Sequence, residues 1–449
     1  MNIDRQKVYF VSLGCPKNQV DTEVMLGVVR DEGHELVDSP EHADVLVVNT
    51  CGFIEEAKQE SIDTILQLAQ VKVEAGPHGG KRLVVAGCLS QRHSHELARE
   101  LPEVDHLLGS ADMLGLGKVL RGEAPRMGVS KLGSRAWIYD HQTPRRLIGR
   151  THTAYVKIAE GCDRPCAFCI IPQLRGAQRS RTIFGIVEEV HGLVEAGTRE
   201  ICLVAQDLTT YGSDLSPPAT LEQLLDALSR ITGLTWIRLH YAYPNAVSPG
   251  LIERICHEPR IATYIDVPMQ HVDSDVLKRM RRGYGEKQVR TLVEALRSCK
   301  PHVWLRTTLL VGHPGESDAA FQRLYEFVED GHIDHLGVFA WSREQGTPSA
   351  MQPDRIDPAL VEERRLALLE LHEDQRTLVH QGMIGNVIEV MIDGCSDESD
   401  LLLEGRHQGQ APGIDGKVIL ADGTGCTGEL CPARITQADA FDLVASLEL

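Results

Sequence analysis

The chain has 449 residues and a formal net charge of −18 at pH 7, with 42% hydrophobic and 24% charged residues. This length predicts two to four domains, and the composition is that of an ordinary globular protein. Because the polar N-terminus lacks a signal-peptide core and no apolar run could cross a bilayer, the sequence predicts a cytoplasmic protein whose twelve cysteines are mostly not in disulfides.

Residues 1–120 are predicted to form the first domain, of the α/β class. Continuous apolar runs rich in β-branched residues alternate there with helical stretches, which is typical of a parallel sheet covered on both faces. The predicted strands are Lys7–Leu13, Asp44–Asn49 and Arg82–Ala86, and the predicted helices include Val20–Arg30 and Ile54–Gln70.

A cysteine follows each of these three strands: Cys15, Cys51 and Cys88. The carboxyl ends of parallel strands form the binding crevice of such sheets, so the three cysteines are expected to converge. One interpretation is that each is a small buried residue at a strand end, since free cysteines are often buried. The interpretation that we favour is a three-cysteine iron–sulfur site with one open iron, because three similar placements are unlikely by chance.

Residues 121–150 are rich in Arg, Gly, Pro and Ser and are predicted to be a linker. Residues 151–380 again alternate strands with helices, and six βα units predict a partial TIM-like barrel with its chemistry at the carboxyl ends of the strands. The predicted strands of this second domain are Ala154–Ile158, Ile201–Ala205, Trp236–His240, Tyr264–Val267, Val303–Val311 and Leu336–Ala340.

Three further cysteines, Cys162, Cys166 and Cys169, follow the first strand of this second domain with CxxxCxxC spacing. Thiolates are the soft ligands of iron–sulfur clusters. Three thiolates hold three irons of a [4Fe–4S] cluster, and the fourth iron stays open to substrate or cofactor. A structural zinc site is the alternative. It needs a fourth Cys or His nearby, and the next histidine, His191, lies outside the usual ligand spacing.

Residues 381–449 are predicted to form a small antiparallel β-barrel. Four short strands with Gly, Pro and Asp turns between them predict it: 386–392, 400–404, 416–420 and 429–435. This segment holds 12 Asp and Glu against Arg406, Lys417 and Arg434, a balance of −9 that is expected to repel phosphate backbones. The alternative is a solvated acidic surface that only keeps the protein soluble.

The CxxxCxxC loop resembles that of the radical S-adenosylmethionine (SAM) enzymes, in which the open iron binds SAM. Over its whole length the chain resembles the methylthiotransferases, which join a three-cysteine domain, a radical-SAM barrel and a C-terminal TRAM β-barrel. The most specific motifs match the branch that modifies a ribosomal protein: Ser12-Leu13-Gly14-Cys15-Pro16-Lys17-Asn18, Asn49-Thr50-Cys51-Gly52-Phe53-Ile54, Ile170-Ile171-Pro172 with Arg175-Gly176, and Tyr264-Ile265-Asp266-Val267-Pro268-Met269-Gln270-His271.

The resemblance implies two [4Fe–4S] clusters and SAM as cofactors, with the six cysteines as metal ligands and catalytic residues. It implies methylthiolation of the β-carbon of an aspartate in ribosomal protein S12, with an electron donor such as flavodoxin or ferredoxin. Our hypothesis is that the cluster on Cys162, Cys166 and Cys169 cleaves SAM and that the other cluster delivers sulfur. Weaker candidates for contacts with SAM are Gln206, Asp207, Arg306, Gly312 and Glu316, which are otherwise ordinary turn or ion-pair residues.

Three other functions stay open at this point. The first is methylthiolation of an adenosine in transfer RNA by the same chemistry, which the acidic C-terminal segment disfavours. The second is a non-catalytic iron–sulfur sensor or electron carrier. The third is a scaffold that binds ribosomal protein through its acidic barrel. Outside the two groups of three, Cys256 and Cys299 are predicted to be buried thiols in helices.

Overall fold

The computed structural model describes residues 5–76, 80–132 and 137–448. Its contacts divide the chain into two compact units, and each unit is made of several segments. The first comprises residues 1–149, 155–163 and 169–189, and the second comprises residues 150–154, 164–168 and 190–449. The domain boundaries predicted at residues 120, 150 and 380 stay predictions.

The first unit is built on a parallel six-stranded sheet with the strand order β2-β1-β3-β4-β5-β6. Its strands are β1 Lys7–Ser12, β2 Glu35–Leu36, β3 Val45–Thr50, β4 Arg82–Gly87, β5 His106–Leu108 and β6 Met127–Gly128. Its helices are α1 Pro16–Asp31, α2 Glu55–Glu74, α3 Cys88–Glu100, α4 Gly115–Leu120 and α5 Ile171–Arg175.

Both faces of this sheet are covered, as the continuous apolar runs predict. All six residues of β3 are buried. Val45 and Val47 pack into one hydrophobic cluster with α1 and α4, while Leu46 and Val48 pack into another with α2 and α3. Successive residues of a strand point to opposite faces, so a strand buried on both faces needs an apolar residue at nearly every position. The predicted parallel α/β architecture is confirmed.

The second sheet has the strand order β14-β13-β12-β11-β10-β7. Its strands are β7 Thr153–Lys157, β10 Glu200–Val204, β11 Trp236–Leu239, β12 Ile261–Asp266, β13 Trp304–Val311 and β14 His335–Ala340, and a separate ribbon pairs β8 Ala159–Glu160 with β9 Arg179–Ser180. Helices follow in chain order: α6 Ile183–Glu195, α7 Leu221–Leu228, α8 Pro249–His257, α9 Ser274–Arg279, α10 Glu286–Arg297, α11 Asp318–Glu329 and α12 Pro358–Gln381. The number of strands agrees with the prediction, and the sheet is open between β14 and β7, as expected of a partial barrel.

A closed five-stranded barrel ends the second unit, with the strand order β15-β16-β17-β19-β18. Its strands are β15 Val387–Ser396, β16 Ser399–Arg406, β17 Val418–Leu420, β18 Leu430–Ala438 and β19 Leu443–Leu447. Four of them match the predicted strands. The fifth, β19, was not predicted. It pairs with both β17 and β18 and so closes the barrel.

The closed barrel is fastened to the second sheet by buried charges. Asp415 accepts hydrogen bonds from Tyr264 at 2.8 Å and from Arg306. Arg406 forms ion pairs with Glu200 and Asp393, each at 2.7 Å. Part of the acidic excess of this segment is therefore internal, because Asp393 and Asp415 are buried and neutralised by cations.

Two cysteines outside the two groups of three differ from the prediction. Cys256 lies in α8 and Cys299 follows α10, and the two form a disulfide with their Cα atoms 6.1 Å apart. The expectation of two free thiols is wrong because the fold brings together residues that are 43 positions apart.

As for membranes, the helices in the described ranges include none that combines the length and the apolar character of a bilayer span.

Candidate active site

Cys15, Cys51 and Cys88 lie where the strands of the first sheet have their carboxyl ends. We call this side of the sheet the sheet edge and the three cysteines the sheet-edge trio. Each comes directly after, or within three residues of, the end of β1, β3 or β4. These three strands are adjacent and parallel, with Ser12 opposite Asn49 and Thr50 opposite Gly87. Because the strands end side by side, the three cysteines share one crevice, as the sequence predicts.

Two glycines allow the cysteine-bearing turns to approach closely. A Cβ atom on Gly14, whose φ is +88°, would lie 2.9 Å from Cys51 Cβ and 3.2 Å from Cys51 Sγ. A Cβ atom on Gly52 would lie 2.9 Å from the backbone nitrogen of Leu89, next to Cys88. The three turns thus pack against one another through positions that have no side chain.

The electrostatic surroundings of these thiols are uneven. Burial raises the pKa of Cys15, but the charges of Lys17 and Arg175, together with backbone hydrogen bonds, outweigh it and leave that pKa below its ordinary value. Burial raises the pKa of Cys51. Burial also raises the pKa of Cys88 to about 12, against the lowering effect of Arg175, whose Nε donates to Cys88 Sγ at 3.2 Å. Cys51 also feels the charge of Cys15, and Cys88 feels the charges of both Cys15 and Cys51.

The CxxxCxxC motif occupies the loop between β8 and α5. Gly161 begins it with φ +83°, and a Cβ atom there would come within 2.1 Å of the Ala177 carbonyl oxygen, so only glycine fits. In the first unit, the Cys162 N–H donates to the Gly176 carbonyl at 3.1 Å. In the second unit, the Ala167 N–H donates to the Met280 carbonyl at 2.8 Å. The loop conformation is therefore held by backbone bonds.

Cys166 has a buried arginine as its neighbour. Arg282 Nη1 donates to Cys166 Sγ at 3.3 Å, and Arg282 Nη2 donates to the Pro268 carbonyl at 2.7 Å. Its Nε donates to the Tyr284 hydroxyl at 2.8 Å, and its guanidinium lies 4.3 Å from the ring centroid of Tyr243. These contacts fix one N–H group toward the cysteine sulfur.

Of the predicted contacts with SAM, four follow the carboxyl ends of strands. Gln206 and Asp207 come after β10, where Asp207 accepts from Arg164 Nε at 2.7 Å and caps the next turn through the Thr209 N–H at 2.9 Å. Gly312 and Glu316 form one turn after β13, in which the Gly312 N–H donates to Glu316 Oε2 at 2.9 Å. Their roles toward SAM stay predictions.

Arg306, the fifth candidate, lies elsewhere. It is the third residue of β13, five residues before that strand ends, a separation of about 16 Å along the strand. Its guanidinium forms an ion pair with Asp415 of the closed barrel. The structure thus does not bring Arg306 to the strand end that carries Gly312, and its contact with SAM stays a prediction.

The contacts of the two cysteine sites bear on whether these sites fit iron–sulfur clusters. Within the described ranges, no three His, Cys, Asp or Glu side chains are arranged to coordinate a metal ion as they stand. The donor set nevertheless matches the chemistry of a cluster, since thiolates are its protein ligands. Each trio also has a buried arginine N–H group directed at one sulfur, which is typical of the outer shell of a metal site. The residues therefore fit.

Neither arginine was selected as a functional residue from the sequence. Arg175 belongs to a quoted motif, but nothing in its spacing from Cys88 indicates the contact. Arg282 lies in the run Arg281-Arg282-Gly283-Tyr284, which has no recognisable ligand pattern. Since both contacts join residues distant in sequence, they become visible only in the fold.

Comparison with protein families assigns three segments of the chain. Residues 7–109 match the uncharacterized protein family UPF0004, residues 156–328 match the Radical SAM superfamily, and residues 384–447 match the TRAM domain. The first match contains five of the six strands of the parallel sheet, β1 to β5, and the third contains the closed barrel. Fold and motif together define a radical SAM protein.

Curated relatives match over nearly the full length. The ribosomal protein uS12 methylthiotransferase RimO of Sorangium cellulosum (strain So ce56) is 49% identical over 98% of this chain and 91% of its own. The same enzyme of Geobacter sulfurreducens (strain ATCC 51573 / DSM 12127 / PCA) is 44% identical over 100% of both chains. The chain therefore belongs to the RimO family of methylthiotransferases.

Solved structures share the fold at low identity. The radical SAM methyltransferase TsrM from Kitasatospora setae, with cobalamin and a [4Fe–4S] cluster bound, has a TM-score of 0.55 at 14% identity over 77% of each chain. The cobalamin-dependent SAM radical enzyme OxsB has a TM-score of 0.51 at 14% identity, over 82% of this chain and 56% of its own. These likenesses concern the architecture alone.

Proposed function

We propose that this enzyme methylthiolates the β-carbon of an aspartate in ribosomal protein uS12, using SAM and two [4Fe–4S] clusters. The observation that carries the proposal is the convergence of Cys15, Cys51 and Cys88 at one sheet edge of a chain that also has the CxxxCxxC loop. A second three-cysteine site in a chain that also carries a radical-SAM motif supports sulfur transfer, because SAM cleavage needs only one cluster.

The six cysteines divide between two tasks in this proposal. Cys162, Cys166 and Cys169 would hold one cluster, and the trio at the sheet edge would hold the other. When bound, the clusters and SAM would supply one-electron chemistry and a transferable sulfur atom. A radical route suits the target, since the C–H bond beside a carboxylate has no readily removable proton.

The chain's own residues would position these parts. Arg282 holds an N–H group toward Cys166 Sγ, and Tyr243 and Tyr284 hold Arg282. The pKa of Tyr284 is raised to about 12, chiefly by burial, so its hydroxyl stays protonated and available as a donor at neutral pH. That hydroxyl lies 2.9 Å from the Met269 carbonyl, to which it donates. These contacts fix the direction of the Arg282 N–H group toward Cys166.

The charge of the C-terminal barrel supports a basic protein as substrate. The segment from residue 381 has a formal balance of −9, and the acidic excess that remains after Asp393 and Asp415 are paired internally suits a basic ribosomal protein and opposes RNA. We therefore expect a protein rather than RNA as the direct substrate. We further propose that electrons come from a donor such as flavodoxin or ferredoxin, and that the reaction occurs in the cytoplasm with the ribosomal protein.

The test is anaerobic reconstitution followed by reaction with SAM, a reductant and either uS12 or transfer RNA. We expect a methylthio group on uS12 by mass spectrometry and none on transfer RNA. Modification of transfer RNA instead would favour the sister activity. Clusters without 5′-deoxyadenosine would indicate a sensor or electron carrier, and binding of uS12 without any mass change would indicate a scaffold.

A further inference from the structure

Arg175 lies buried against the sheet-edge cysteines within the first unit. It is the last residue of α5, its side chain is 3% exposed, and its Nε is 3.2 Å from Cys88 Sγ. It is also among the charges acting on Cys15 and Cys51. A buried guanidinium therefore contacts Cys88, and its charge acts on all three members of the trio.

The remaining N–H groups of Arg175 are held by three other side chains. Nη1 lies 2.5 Å from Asp21 Oδ2 and 3.2 Å from Glu160 Oε2. Nη2 donates to Asn18 Oδ1 at 3.1 Å. Because the guanidinium is planar and both ends are anchored, its Nε–H is fixed in direction toward Cys88.

The charges around Arg175 are balanced without the cysteines. Lys157 Nζ lies 2.5 Å from Asp21 Oδ1 and 2.6 Å from Glu160 Oε2, so two buried cations meet two buried carboxylates. Burying an unpaired charge is costly, and this pairing removes that cost. Arg175 is thus held in place whether or not the thiols carry a cluster.

We propose that Arg175 is a positioning residue for the cluster held by Cys15, Cys51 and Cys88. The hydrogen bond from Arg175 Nε–H to the Cys88 sulfur retains this cluster and raises the reduction potential of the cluster. A donor at a ligating sulfur stabilises the more electron-rich, reduced state, which is how hydrogen bonds to sulfur tune such clusters. This inference rests on the proposed role of Cys15, Cys51 and Cys88 as ligands.

The experiment isolates one cluster in the full chain by replacing Cys162, Cys166 and Cys169 with alanine. In this parent we compare Arg175→Lys with the double variant Arg175→Gln, Asp21→Asn. The double variant removes one cation and one carboxylate together, so the buried network stays balanced and folding is protected. The readouts are the rate of iron loss to a chelator and the midpoint potential from an electron paramagnetic resonance titration.

We expect the double variant to lose iron at least about tenfold faster and its midpoint to move to lower potential. Arg175→Lys keeps the charge but lacks the planar fork, so its change is expected to be intermediate. The control is Arg145→Lys, because Arg145 is also buried in the first unit and bonds to Glu23 and Glu189. It is expected to change neither readout.

Two results are distinguishable. If the parent loads about four irons but the folded Arg175 variants match it in iron loss and midpoint, the inference about Arg175 is overturned alone. If the parent binds no cluster, the ligand assignment in the proposed function falls, and the inference falls with it. Folding is checked by thermal melting of each variant.

Discussion

The single side chains of the two cysteine sites have separable tasks. Cys51 belongs to the sheet-edge trio, whereas Cys162 belongs to the loop between β8 and α5. Both are partly exposed, so substitution of either leaves the hydrophobic core intact. Differences between the variants therefore report on chemistry rather than on folding.

For Cys51→Ala we expect normal cleavage of SAM and no methylthiolated uS12, since the proposed sulfur site loses a ligand while the SAM site keeps all three. For Cys162→Ala we expect neither 5′-deoxyadenosine nor product. Both compounds are measured by liquid chromatography and mass spectrometry. Methylthiolated product from Cys51→Ala would refute the role given to the sheet-edge trio.

Arg282 offers a second prediction at this scale. In Arg282→Gln the N–H bond to Cys166 Sγ is lost, and we expect formation of 5′-deoxyadenosine to fall about 10- to 100-fold. The matched control is Arg290→Gln, because Arg290 is a half-exposed arginine on α10 paired with Glu286 and Asp330. Equal rates in the two variants would argue against a positioning role for Arg282.

The elements of the first unit act through their ends. β1, β3 and β4 are held in register by a core on both faces, and their final residues set the spacing of the cysteines. The turn after β1 is closely constrained, since Gly14 approaches Cys51 and has a positive φ. The packing of β1 in the sheet therefore determines where the Cys15 thiol lies.

Gly14→Ala tests this placement. The new Cβ atom would collide with Cys51 and also strain the backbone, so we expect a loss of iron together with a destabilisation of about 1–3 kcal/mol. Gly33→Ala is the control, because Gly33 has φ +80° but no atom within 4 Å of the added Cβ. It is expected to lower the unfolding temperature while iron content stays normal. Equal iron loss in both would show that strain, rather than contact with Cys51, is responsible.

For the molecule as a whole, the buried charges of the second unit make stability depend on pH. His335 donates Nε2–H to the Gly409 carbonyl at 2.6 Å, and burial lowers its pKa to about 4. Burial, aided by Arg376, lowers the pKa of His372 to about 4 as well. Burial opposes the ionisation of Asp415, but His335 and Arg306 outweigh it and bring its pKa to about 2.

These shifts predict a loss of stability on acidification. Both histidines are neutral in the folded state at pH 5, whereas in the unfolded chain they take up protons below about pH 6.5. The unfolded state thus binds more protons, and stability falls as pH drops from 6.5 to 4, with Asp415 adding to the fall below about pH 4.

The measurement is the unfolding temperature between pH 7.5 and pH 4 at constant ionic strength. We expect a steady decline below about pH 6.5, and a shallower one in His372→Gln, which removes one of several buried histidines with a lowered pKa. A flat profile, or a rise on acidification, would contradict the linkage.

Much of the architecture was predictable because its signals are local. Continuous apolar runs predict buried parallel strands wherever they occur, and the spacing of Cys162, Cys166 and Cys169 is set by the covalent chain. The placement of Cys15, Cys51 and Cys88 also followed, since parallel strands end at one edge. The strand β19 was missed because it gains its place only by pairing with β17 and β18.

The contacts between residues distant in sequence could not be predicted from the sequence. Arg175 and Cys88 are 87 residues apart, Arg282 and Cys166 are 116 apart, and Arg306 and Asp415 are 109 apart. Periodicity and spacing describe a residue and its near neighbours, whereas these contacts depend on how distant elements pack. The kind of chemistry could thus be inferred along the chain, while the arginines that hold the thiols and the disulfide between Cys256 and Cys299 were settled by folding in three dimensions.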